Sequence, residues 1–223
     1  MADRCLLYYI TDRSQFRVDE GARRRALLAK VAKAASANVD YIQLRERDLS
    51  SRELEQLSRQ VAHVIQELRT ENRQLRTRLL INSRSDIAMA VGADGVHLRA
   101  DDVTPHEVRR MLEASAHRPR TTGHFLVAVS CHTAADVSRA ESEGADFAVF
   151  APVFAKHSAP ATQPTGLAAL REACRVKIPV LALGGVTMEN AASCLNAGAA
   201  GAAGIRLFQE NKMEDVVRSL RAL

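Results

Sequence analysis

The chain has 223 residues, 47% of them hydrophobic and 4% aromatic, with no Trp and a formal net charge of +5. That length and hydrophobicity suit one large core filled by Ala, Val, Ile and Leu, as in a parallel sheet buried on both faces, and disfavour an aromatic base-stacking platform for RNA. The basic balance admits an anionic partner, but Arg23, Arg24 and Arg25, Arg73, Arg76 and Arg78, and Arg109 and Arg110 are dispersed, so they read as solvated helix faces and not as a nucleic-acid or membrane tail.

Taken in chain order, a first strand is predicted over Leu6–Thr11, and a helix-like stretch leads to the phrase Asn38-Val-Asp-Tyr-Ile-Gln-Leu. A helical pattern over Glu53–Leu68 and a strand over Leu79–Asn82 precede Gly92-Ala-Asp-Gly-Val-His-Leu. A strand over Phe125–Ser130 and a helix over Ala134–Glu143 precede Gly144-Ala-Asp-Phe-Ala-Val-Phe. A strand over Pro179–Gly184 and a helix over Glu189–Ala197 precede Gly198-Ala-Ala-Gly-Ala-Ala-Gly. The four phrases are one repeated phrase, spaced 54, 52 and 54 residues apart. Its first residue is read as a left-handed residue past a helix end, and its Asp as the turn residue before a strand.

A unit of about 53 residues is too long for one strand–helix pair and suits two. Four double units make eight alternating strands and helices, with right-handed crossovers. An open doubly wound sheet would alternate too, but it gives no reason for a regular fourfold period. The expected fold is therefore a TIM (β/α)8 barrel, one domain over residues 1–223. The segment 154–165, with Pro160 and Pro164, interrupts the pattern and is expected to be a loop over the catalytic face.

In such a barrel the site lies where strands end. Those ends carry Asp12 and Arg13, then Arg45 to Asp48, Asn82 to Arg84, His97, Arg99, Asp101 and Asp102, Ser130 and His132, Gly184-Gly185, and Gly204-Ile205-Arg206. The small residues after the seventh and eighth strands would let backbone N–H groups reach an anion, helped by the helix expected at Glu189, with Arg206 beside them. His132 can move protons near neutrality; alternatively it belongs to a cap in which Thr133 does the work. Strand alternation would point Gln43, Arg45 and Arg47 inward and Glu46 outward. A buried Arg45 needs a carboxylate, with Asp12 and Asp102 as candidates, or a ligand. Asp101-Asp102 suits either Mg²⁺ ligation or the turn before Thr104-Pro105. Cys5, Cys131, Cys174 and Cys194 lie in no metal-ligand spacing, as suits reduced thiols in a cytoplasmic protein. No run approaches roughly 18 apolar residues, so no membrane span is expected.

Along nearly its whole length the chain resembles the thiamine phosphate synthase and TenI superfamily. The resemblance rests on YYITDR, YIQLRERD, LLINSRSDIAMAVGADGVHL, VSCHT, EGADFAVFAPVF and IPVLALGGVTMENAASCLNAGAAG. It implies a thiamine-pathway enzyme that binds a small thiazole phosphate. One activity of the family joins a pyrimidine diphosphate to a thiazole phosphate with Mg²⁺; the other, of TenI type, isomerises a thiazole carboxylate phosphate to its aromatic form without a cofactor. The synthase pattern implies Lys at Arg47, Asp at Ser83, Thr-x-Thr-Lys at Lys156-His157-Ser158-Ala159, and Ser at Arg206. Asp102 is the one metal carboxylate retained.

The departures favour the tautomerase, with His132, Arg47 and Ser130 at the chemistry. Substrate-binding candidates are Gln43, Arg45, Asn82, Arg84, Lys156, Ser158, Gly184, Gly185, Gly204, Ile205 and Arg206. The alternative is a divergent synthase using Mg²⁺ at Asp102, and the third reading a metabolite sensor without catalysis. Neither nucleic acid nor membrane is an expected partner, and assembly into a homo-oligomer is compatible with all three readings.

Overall fold

The computed structural model describes residues 4–114, 124–155 and 163–223. Eight parallel strands close into a barrel in chain order: β1 (Leu6–Ile10), β2 (Tyr41–Leu44), β3 (Arg78–Asn82), β4 (Gly95–Leu98), β5 (Leu126–Cys131), β6 (Phe147–Phe150), β7 (Val180–Ala182) and β8 (Gly201–Gly204), which pairs with β1. Helices α1 (Glu20–Ser36), α2 (Ser51–Glu71), α3 (Ser85–Val91), α4 (Pro105–Ala114), α5 (Ala134–Ser142), α6 (Gly166–Ala173) and α7 (Ala191–Asn196) follow the first seven strands. The short α8 (Arg206–Gln209) and then α9 (Met213–Arg221) follow β8. Among the described residues no helix is long and apolar enough to cross a membrane.

Local chemistry explains the elements. Helix α2 starts at a capping box in which Ser50 and Glu53 satisfy each other's backbone N–H. It buries Leu54, Leu57, Val61 and Ile65 at helical spacing. The repeated phrase has the backbone expected of it: φ is +61° at Asn38, +68° at Gly92, +86° at Gly144 and +103° at Gly198.

The repeated Asp does more than fill a turn. Asp40, Asp94 and Asp146 each accept a backbone N–H from the preceding odd-numbered strand, from Leu7 (2.7 Å), Leu79 (2.8 Å) and Val127 (2.6 Å). Each also pairs with an arginine, Arg221, Arg69 and Arg109 respectively. These three arginines are staples and not loose surface charge. In the fourth unit the position is Ala200 and only backbone hydrogen bonds remain, from Leu6 N–H to its carbonyl and from its own N–H to Val180.

Two elements are shorter than the sequence suggests. Strand β7 spans three residues, because Pro179 has no N–H to give a ladder and Gly184 turns to φ +94°. Helix α7 starts at Ala191 and not at Glu189. Thr187 and Asn190 bond each other's backbone N–H and hold the intervening residues in a turn.

Alternation along the strands makes two cores. The larger lies between sheet and helices. The smaller lies inside the barrel and contains Tyr8, Ile10, Leu80, Ala128, Phe147, Val149, Leu181 and Ala203. Three aromatic rings meet there. Tyr41 stacks on Phe147 at 4.7 Å, and Tyr8 meets both edge-on. These rings plug the barrel, so a polar layer above them forms the floor of a cavity.

Candidate active site

The cavity opens at the carboxyl ends of the strands and has a volume of about 1210 Å³. Its lining includes most of the residues singled out from the sequence: Gln43, Arg45, Arg47, Asn82, Ser83, Arg84, Ser130, His132, Gly184, Gly185, Gly204, Ile205 and Arg206. Lys156 and Ser158, with most of the 154–165 loop, lie outside the described residues.

On the floor, Gln43 Nε2 donates to Asn82 Oδ1 at 3.1 Å, and Asn82 Nδ2 donates to Ser83 Oγ at 3.0 Å. Beside them His97 links Tyr8 and Ser130, with Tyr8 Oη 3.0 Å from Nδ1 and Ser130 Oγ 2.8 Å from Nε2. Burial, and then the Arg45 cation, push the His97 imidazole down to about 3. It is neutral at any physiological pH.

A pH dependence follows. Between about 6.5, the ordinary value, and about 3 the unfolded chain binds a proton at His97 that the folded chain refuses. His97 thus penalises the folded state as pH falls below about 6.5, with a slope reaching about 1.4 kcal/mol per pH unit. Urea midpoints measured from pH 7 downward should therefore fall less steeply in His97→Gln than in the parent. Equal slopes would exclude this cause.

The end of β2 is braced from below. Glu46 is buried; its Oε1 accepts from Thr11 Oγ1 at 2.6 Å, and its Oε2 accepts from Arg13 N and Nη1 at 3.0 and 3.2 Å. Thr11 Oγ1 in turn accepts from Arg45 N–H at 3.0 Å. Glu46 does face away from the barrel axis, but it faces a buried arginine and not solvent. Arg45 faces the cavity and finds neither carboxylate expected for it. Asp12 is held by Ser14 and Gln15, and Asp102 by Arg99. The Arg45 guanidinium has no hydrogen-bond or ion-pair partner among the described residues. Burial, then Arg47 nearby, push it below its ordinary value. A partly buried cation among cations marks a place for an anion.

Two of the lining arginines are held differently from Arg45. Arg47, three residues past the end of β2 at Leu44, is exposed on the rim, although it still borders the cavity. Arg84 lines the rim, but its guanidinium is spent on Asp86 at 2.8 and 2.6 Å and on Ser51 at 2.6 Å.

Around the other half of the rim, Gly184 (φ +94°) and Gly185 (φ +66°) turn the chain under the cavity wall. A Cβ on Gly185 would lie 2.6 Å from the Ala155 carbonyl oxygen, so only glycine fits. The N–H groups of Gly184, Gly185 and Ile205 donate to no protein atom among the described residues. The side chain of Arg206, at the start of α8, has no partner there either, and it lines the same wall.

His132 stands on the rim just before α5. Thr133 caps that helix in a reciprocal box with Asp136, so the imidazole is not needed for capping. His132 Nδ1 lies 2.7 Å from the Ala151 carbonyl oxygen. A carbonyl only accepts, so Nδ1 carries the proton and Nε2 keeps its lone pair in the neutral ring.

The metal position implied by the resemblance does not fit a divalent cation. Asp102 is the one carboxylate retained there, and both its oxygens are taken by Arg99: Oδ2 by the backbone N–H at 2.7 Å and Oδ1 by the guanidinium at 3.0 and 3.2 Å. Burial pushes the Asp102 carboxyl up, but the Arg99 N–H, the Ser83 hydroxyl and the Arg99 guanidinium outweigh it and hold it low. Ser83 offers a neutral hydroxyl where a second carboxylate would be needed. Asp101 is exposed and lies 3.5 Å from Arg99 as well. Among the described residues no three His, Cys, Asp or Glu side chains converge as a metal site.

The sequence reading did not single out Tyr8 or the Arg99–Asp102 closure. An inward Tyr two residues before the end of β1 was a legible signal for the first. For the second, the signal was the three-residue spacing of Arg99 and Asp102 in the turn after β4.

A closed parallel barrel with a cation-lined cavity at its strand ends defines a (β/α)8 enzyme. The family model described as thiamine monophosphate synthase matches residues 7–208. The thiamine-phosphate synthase of Methanoculleus marisnigri is 38% identical over 218 residues, covering 96% of this chain and 93% of that protein. That of Syntrophomonas wolfei is 37% identical over 222 residues, covering 97% and 95%. The structure of thiamine phosphate pyrophosphorylase from Pyrococcus furiosus superposes with a TM-score of 0.74 at 23% identity, over 98% of both chains. The chain belongs to the thiamine monophosphate synthase family and is an enzyme of thiamine biosynthesis.

Proposed function

We propose that this enzyme is a thiazole tautomerase. The observation that carries the reading is the closure of the metal position by Arg99 on Asp102, which leaves the site equipped for proton transfer and not for expelling pyrophosphate. In this reading the substrate's phosphate binds the unpaired N–H groups of Gly184, Gly185 and Ile205, with Arg206 adding charge. Arg45 clamps the carboxylate. His132 Nε2 takes a proton from one carbon of the non-aromatic thiazole, and the resulting imidazolium returns it to another. The ring becomes aromatic with no net gain or loss of atoms or electrons.

The second reading is the coupling of a pyrimidine diphosphate with a thiazole phosphate. It is favoured by the relatives, which bear the synthase name at 37–38% identity over nearly the whole chain. The unpaired Arg45 would suit a diphosphate equally well.

Both reactions should be assayed on the purified protein, with and without Mg²⁺. The expected result is isomerisation at the same rate in the presence of Mg²⁺ or chelator, and no thiamine phosphate. Thiamine phosphate formed from both substrates, with no isomerisation, would overturn the proposal in favour of the second reading.

A further inference from the structure

Tyr8, His97 and Ser130 come from β1, β4 and β5 and meet on the barrel axis beneath the cavity. Tyr8 is 0% exposed and His97 2%. Hydrogen-bond polarity along this chain of three follows from counting protons. A neutral imidazole has one N–H and one lone pair. With the proton on Nδ1, His97 would donate to Tyr8 Oη, and the phenolic O–H would be buried with no acceptor among the described residues. With the proton on Nε2, the Tyr8 O–H donates to Nδ1 at 3.0 Å and Nε2–H donates to Ser130 Oγ at 2.8 Å. Every proton of this three-residue relay then has an acceptor, which avoids the cost of an unsatisfied buried donor at Tyr8.

The consequence falls on Ser130. Its oxygen already accepts from His97, so its own O–H must point elsewhere. No other protein acceptor for it lies among the described residues, and Ser130 lines the cavity. We propose that Tyr8, acting through the tautomer of His97, makes Ser130 a hydrogen-bond donor toward the cavity, so that the bound molecule presents an acceptor atom there. That this acceptor is the ring nitrogen or carboxylate of a thiazole rests on the function proposed above; the polarity of the relay does not. Tyr8 is a positioning residue, and Ser130 the group that selects.

The test has two arms, both on the full chain. Histidine ¹H–¹⁵N NMR should show His97 as the Nε2–H tautomer. In Tyr8→Phe, which keeps the ring packed against Tyr41 and Phe147, the Nδ1 resonance should move downfield as it loses its donor. An Nδ1–H tautomer in the parent, or an unmoved Nδ1 resonance in Tyr8→Phe, would overturn the relay. The second arm compares binding of a thiazole phosphate with that of its pyrrole analogue, whose N–H replaces the ring-nitrogen acceptor. The parent should prefer the thiazole about tenfold, and Ser130→Ala should abolish most of that preference. A preference for the pyrrole, or one unaffected by Ser130→Ala, would overturn the donor role. An intact Nε2–H tautomer in a protein that binds no thiazole phosphate would support the relay while overturning the functional reading.

Discussion

His132→Ala is expected to lower the rate of thiazole isomerisation by 10²–10⁴, on the order of 3–5 kcal/mol of transition-state stabilisation. The bond from Nδ1 to the Ala151 carbonyl, at 2.7 Å, fixes both ring orientation and tautomer. Nε2 is thereby an acceptor before substrate arrives, so no reorganisation is needed at the moment of transfer. The variant removes this group and leaves its surroundings in place. The Thr133–Asp136 box still caps α5, and the Gly184, Gly185 and Ile205 N–H groups are untouched. The loss should therefore appear in kcat, with thiazole phosphate affinity within about twofold of the parent by calorimetry. Undiminished isomerisation would remove His132 from the chemistry. A fall in affinity matching the fall in rate would make it a binding group instead.

Glu46→Gln is expected to cost stability on the scale of a broken buried ion pair, about 3–5 kcal/mol, reduced to the extent that Arg13 is retained by Asp48 and Glu20. Two donors converge on Oε2 and one on Oε1. An amide removes the charge that faces Arg13; its NH₂ would meet two donors on the Arg13 side, and on the Thr11 side it can only donate to the hydroxyl, whose own proton must then turn away. Burial pushes the Glu46 carboxyl up, against the hydrogen bonds of Thr11 and Arg13 that favour the anion. The brace is therefore costly to assemble and sensitive to losing its charge. Because Thr11 also accepts from Arg45 N–H, a weaker anion affinity at Arg45 should accompany the drop in urea midpoint. An unchanged midpoint would show that Asp48 and Glu20 satisfy Arg13 without Glu46.

Several features of the site were legible because they depend on the strand ends alone. Gly184, Gly185, Gly204 and Ile205 announced a close backbone approach, and they do form one wall of the cavity. Gln43 and Arg45 followed from alternation and do face inward. The alternation runs one residue past Leu44, to Arg45, and no longer holds at Arg47, which is exposed on the rim. Arg84 could not be judged from its place in the chain, since Asp86, two residues on, takes its guanidinium. The stretch containing Lys156 and Ser158 carried no periodicity from which an orientation could be read.

The sequence by itself determined the architecture. A phrase recurring at 38, 92, 144 and 198 places left-handed residues, turns and strand starts through local sterics, which act within a few residues. Eight strands in chain order follow from that period and from short right-handed connections. Only the tertiary structure decided which charges and protons meet. Tyr8 and His97 are 89 residues apart, Arg13 and Glu46 33. Closure of the barrel sets those distances, and a hydrogen bond changes from partner to penalty within about an ångström. Residue types at the rim therefore establish that an anion and a proton carrier belong there. The turn after β4 gives Asp102 to Arg99, three residues before it, while the closed barrel leaves Arg45 facing the cavity.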